Sequence, residues 1–114
     1  MLKIFGIKNC DTMKKAFAWL DANGIEYTFV DYKKAGVAES HLPDWIKRAG
    51  WEKLLNTRGL MWKKLTDEER AHVDEAKAHR LLIQYPSMIK RPVLDTGKKL
   101  LVGFDPDTYA ATLK

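Results

Sequence analysis

The sequence predicts an α/β chain whose elements run strand, helix, strand, then a helical block, then strand, strand, helix. Three observations carry that reading. An apolar run hands over to a helical stripe and then to a second β-rich run. The middle of the chain keeps helical spacing throughout. Past residue 89 the pattern returns to two short β runs around a Thr-Gly turn.

LKIFG, residues 2–6, runs apolar and reads as a strand. Met13, Ala16, Phe17 and Leu20 then recur at helical spacing, and Asn23-Gly24 supplies the left-handed residue that ends helices. Ile25 to Tyr32, IEYTFVDY, is β-branched and aromatic, so the first third forms a parallel crossover unit. Leu42, Trp45, Ile46 and Ala49 mark another helix closed by Gly50, and WEKLL adds one or two turns. Thr66 with Glu69 forms a capping box. One helix is expected from there, with acidic residues in its first turn and the stripe Ala78, Leu81, Leu82 and Tyr85, ending at Pro86. IKRPVLD and KKLLVGF flank Thr96-Gly97 as an antiparallel hairpin, and a last helix opens at Asp105-Pro106. No linker, repeat or biased segment divides residues 1–114, so one domain is expected, with a helical insertion over about 38–86.

Composition limits the function classes. The chain of 114 residues is 46% apolar and 31% charged, ordinary for a soluble globular protein, and its one cysteine rules out an internal disulfide. No Cys/His spacing suits structural zinc, and no resident cofactor or metal is expected. MLKIFGIKN is too short for a signal-peptide core, and no apolar run reaches membrane-span length, so a cytoplasmic protein with a reduced thiol is expected. The net charge of +5 is spread over Lys14-Lys15, Lys33-Lys34, Lys63-Lys64 and Lys98-Lys99. Such scattered pairs read as solvated faces rather than a nucleic-acid footprint, and they favour anionic small molecules or acidic partner surfaces. His41, His72 and His79 have no companion cysteine, and Trp19, Trp45, Trp51 and Trp62 read as core or core edge.

Cys10, in GIKNCDTMKKA, holds the chemical interest. A thiol becomes a nucleophile at neutral pH when its pKa falls below about 8.5, which a helix start or nearby cations bring about. Cys10 stands at the predicted start of the Met13–Leu20 helix, with Lys8 before it and Lys14 after. The amides of Asp11, Thr12 and Met13 and the Thr12 hydroxyl could face it, while the Asp11 charge opposes. A strand-to-helix junction at the carboxyl end of a strand favours a site, yet an isolated cysteine is also ordinary packing. Arg58, in LLNTRGL, and Arg91, before Pro92, offer planar forks for an oxyanion and equally serve as surface ion pairs. Residue types alone leave both choices open.

KNCDT, the NTRG loop, and PSMIKRPVL followed by LLVGF and a short helix together resemble the ArsC arsenate reductase family, the thioredoxin-like group that also contains Spx and the YffB-type glutathione-dependent thiol reductases. The resemblance runs over residues 2–113 and is strongest to the YffB type. It implies a thioredoxin-like fold with a four-stranded mixed sheet around a helical insertion. It further implies a catalytic Cys10 with anion-binding Arg58 and Arg91, a cis Pro92 beside the thiol, and Lys8, Asn9, Thr12 and Pro92 toward substrate or glutathione. Met13 stands where thioredoxins and Spx carry a second cysteine, so any resolving thiol must come from outside, with glutathione or glutaredoxin expected. LLVGFDP lacks the third arginine of true arsenate reductases, which argues against arsenate as physiological substrate and leaves another small oxyanion or a mixed disulfide. The alternative the resemblance implies is an Spx-like regulator that docks on RNA polymerase.

Overall fold

A computed structural model describes residues 2–34 and 36–114. The chain divides into two compact units, one of residues 1–31 and 91–114 and the other of residues 32–90.

The first unit holds the sheet. Strands β1 (Lys3–Gly6), β2 (Thr28–Asp31), β3 (Val93–Asp95) and β4 (Leu100–Val102) lie in the order β2-β1-β3-β4. β1 pairs parallel with β2 and antiparallel with β3, and β3 pairs antiparallel with β4, so the sheet is mixed as expected. Helix α1 (Asp11–Ala22) makes the crossover and α7 (Pro106–Leu113) follows β4; the helices of the second unit, described below, take the labels in between. Alternation on the strands and helical spacing on α1 send Ile4, Met13, Ala16, Leu20, Leu94 and Tyr109 into one buried cluster. α1 stops where Gly24 takes φ +65, and the hairpin turns at Gly97 with φ +92 while its amide donates to Asp95 Oδ1 at 2.8 Å. Asp105 caps α7 and accepts the Thr108 hydroxyl at 2.6 Å, which holds its carboxyl below the usual carboxylate range.

Both strands flanking the insertion are shorter than the sequence pattern suggests. β2 begins at Thr28 rather than Ile25, because the Ile25 amide closes the end of α1 by donating to Leu20 O at 3.0 Å; the Tyr27 ring stacks on Phe17 at 5.6 Å. IKRPVLD is strand only from Val93, since Pro86–Met88 forms a 3-10 turn, Ile89 bridges Leu55 and the Lys90 amide donates to Leu54 O at 2.7 Å; the Arg91–Pro92 peptide is cis.

Tyr109 is fully buried between Trp19 and Phe104, edge-to-face with each. Its hydroxyl finds no hydrogen-bond partner among the described residues, and burial pushes the phenol's pKa upward. An unsatisfied buried hydroxyl costs more than it returns, so Tyr109→Phe is expected to raise the stability of the protein by about 1 kcal/mol in denaturant unfolding. Destabilisation by that variant would mean the hydroxyl is bonded in solution.

The second unit is helical: α2 (Val37–Ala49), α3 (Trp51–Leu54), α4 (Leu60–Lys64), α5 (Asp67–Arg70) and α6 (Glu75–Gln84), followed by the 3-10 turn. Leu42 and Trp45 on α2, Leu54, and Leu82 on α6 are fully buried, and α2 ends at Gly50 with φ +90. The Tyr32 hydroxyl donates to the Ile89 carbonyl at 3.1 Å, tying the two ends of this unit together.

Where one helix was expected from the Thr66 box to Tyr85, two are found. The box itself forms, with Glu69 N donating to Thr66 Oγ1 at 3.1 Å and Thr66 N to Glu69 Oε1 at 2.9 Å. α5 then stops after one turn, and His72 takes φ +53, which places it in the turn rather than on a helix with His79. Asp74 starts α6 afresh by accepting the Lys77 amide at 2.9 Å. The Lys77 ammonium satisfies the carbonyls released at the break, Glu68 O at 2.8 Å and Ala71 O at 2.5 Å.

Candidate active site

The antiparallel register of β1 and β3 sets Phe5 opposite Val93, so the loop leaving β1 and the residues entering β3 meet at one end of the sheet. Cys10 lies in that loop and Arg91 two residues before β3. Arg91 Nε donates to Cys10 Sγ at 3.2 Å, joining residues 81 apart in sequence.

Cys10 is also the N-cap residue of α1, extended at φ −140 and ψ 129, and its carbonyl accepts the Lys14 amide at 2.9 Å. Its sulfur makes no full capping hydrogen bond, but it lies near the amides at the positive end of the helix. Partial burial raises the thiol's pKa. The Arg91 hydrogen bond, the amides of Met13 and Thr12 and the Arg91 charge lower it, and the net effect is downward. A thiol in this setting holds more thiolate at neutral pH than a free cysteine does.

Lys8, Asn9 and Thr12 flank the sulfur on the loop and first helical turn, all exposed, and Pro92 is buried beside Arg91. Arg58 belongs to the helical unit, exposed on the loop before α4, where its amide donates to Asn56 Oδ1 at 3.1 Å. The structure thus brings Cys10, Arg91 and Thr12 together in one unit.

One residue of this site carries no chemistry and was not singled out from the sequence. Gly6 ends β1 directly beneath Met13: a Cβ there would meet Met13 Sδ at 2.3 Å and Cε at 2.5 Å. The methionine that replaces a second cysteine therefore packs its thioether onto bare backbone. The available signal was a glycine ending a buried strand.

The match to known proteins follows this geometry. A family model described as the ArsC family matches residues 5–112. A solved structure of the YffB protein is 49% identical, with all of both chains covered and a TM-score of 0.93. The solution structure of an arsenate reductase (ArsC) related protein from Brucella melitensis is 50% identical over 99% of this chain and 94% of that one, with a TM-score of 0.80. The global transcriptional regulator Spx of Streptococcus pneumoniae is 27% identical over 99% of this chain and 86% of its own.

Proposed function

Because the chain belongs to the ArsC family, with its thioredoxin-like fold, we propose that it is a glutathione-linked thiol reductase working through one cysteine. The observation that carries this reading is the contact of Arg91 Nε with Cys10 Sγ at a helix start. In the first step the Cys10 thiolate attacks the glutathione sulfur of a mixed disulfide, which forms a Cys10–glutathione disulfide and releases the other thiol as its thiolate. In the second, an external glutathione thiolate attacks the glutathione sulfur of that adduct, releasing oxidised glutathione and returning Cys10 as thiolate. One external glutathione enters per turnover and leaves in oxidised glutathione with the glutathionyl group taken from the mixed disulfide, and the released thiolate takes its proton from water. Lys8 would hold a carboxylate of glutathione, and Thr12 and Asn9 its polar backbone, while Arg91 stays on the thiol.

Glutaredoxin is the alternative donor for the second step, and arsenate is not the proposed substrate. The cytoplasm, where glutathione is held reduced, is the compartment this chemistry needs. For the described residues, no helix is long and apolar enough to cross a membrane.

Thiolate absorbance followed against pH tests the reading. A lowered pKa makes the thiolate signal, and the rate of glutathione adduct formation, rise through a midpoint below the free-thiol range and then level off. In Arg91→Ala the midpoint moves toward higher pH. A midpoint at or above the free-thiol value, with no adduct after exposure to oxidised glutathione, would reject the proposal.

The likeness to Spx favours one second reading, a regulator that binds RNA polymerase. It requires polymerase binding that is indifferent to Cys10→Ser.

A further inference from the structure

The loop and helix at 56–65, NTRGLMWKKL, carry Arg58, Lys63 and Lys64 and no acidic residue. Leu60 is 75% exposed, the one exposed large hydrophobic side chain among the described residues. A short surface helix normally buries one face, but no residue of α4 is buried, and Met61 and Trp62 keep part of their surface in solvent. Among the described residues no carboxylate pairs with Arg58, Lys63 or Lys64.

The segment is anchored at both ends. Arg58 N donates to the Asn56 side chain, a Cβ on Gly59 would sit 2.9 Å from Asn56 Nδ2, and Asn56 N donates to Met88 O at 2.9 Å. At the far end Leu65 is buried, and its amide donates to Trp62 O at 3.2 Å. An apolar projection fixed in this way pays little ordering entropy when it is covered.

We propose that residues 58–64 form a docking surface for an acidic, extended protein segment, Leu60 packing against its apolar side chains and the three cations facing its carboxylates. Charge fixes the sign of the partner, since nothing on the segment would meet a basic one. The exposed leucine decides its class: a phosphate backbone has no use for Leu60, three cations make a small electrostatic footprint for nucleic acid, and five helical residues are too few for an interfacial membrane helix. The surface lies wholly within the helical unit, so the proposal does not depend on Cys10 chemistry.

A displayed library of random 15-residue peptides, selected on the full chain and re-measured by fluorescence anisotropy, tests it. Acidic peptides with an aliphatic or aromatic residue should be enriched and should bind more weakly as salt rises. Leu60→Ser should weaken them about tenfold, as should Lys63→Glu with Lys64→Glu, and amide shifts on binding should centre on 58–64. All three positions are exposed, and an unchanged circular dichroism spectrum confirms that the variants fold. The proposal is overturned if no acidic peptide is enriched, or if the substitutions leave binding unchanged. It is equally overturned if a single-stranded oligonucleotide or an anionic vesicle binds the segment more tightly than the selected peptides, or if the chain self-associates through Leu60.

Discussion

Replacing Cys10 with serine is expected to end both adduct formation and turnover. No mixed disulfide with glutathione should appear by mass spectrometry, and reduction of a glutathione mixed disulfide should fall about a thousandfold or more, because no other thiol exists in the chain. Arg91→Ala should behave differently. Losing one charge-assisted hydrogen bond to the sulfur slows the reaction about tenfold at neutral pH, and raising the pH restores much of the rate by ionising the thiol directly. Arg91→Lys keeps the charge without the Nε donor and should fall between the two. Should Cys10→Ser retain near-normal turnover, the monothiol mechanism is wrong. Should Arg91→Ala stay slow at high pH, the arginine acts on the substrate rather than on the thiol.

The second large effect concerns stability. Met13 is fully buried and its thioether rests on Gly6, so Gly6→Ala should overpack the site and cost about 2 kcal/mol. Met13→Ala should cost about 3 kcal/mol by leaving a cavity. The double variant places the new methyl where the thioether was, so its loss should be smaller than the sum of the two by about 1 kcal/mol or more. A denaturant double-mutant cycle reads this directly, and strict additivity would show that the two residues do not share the space.

Much of the fold was legible because its signals are local. The stripe from Met13 to Leu20, the Thr66 box, the Thr96-Gly97 turn and the Asp105-Pro106 start all sit where the pattern put them. The break between α5 and α6 does not show in the helical spacing, because the Thr66 box and the stripe from Ala78 to Tyr85 are together consistent with one helix. Asp74, three residues before Lys77, was a second start signal within it. α4 was missed because Leu-Met-Trp has no period and Gly59 has no side chain to cap with. At the site, the helix start beside Cys10 could be read from spacing. The Arg91 contact could not, because it follows from the β1–β3 register, and before that the arginine was linked to the thiol only by family resemblance.

The sheet unit is assembled from both ends of the chain, with 59 residues of helical unit emerging between them. Arg91 leaves the ribosome 81 residues after Cys10, a delay of roughly 4–16 s at ordinary synthesis rates. Until β3 joins β1, the thiol lacks the Arg91 hydrogen bond and charge that help lower its pKa, and it is a weaker nucleophile than in the finished fold. The nascent chain is therefore born with a less reactive thiol, and full reactivity arrives with the same event that completes the sheet.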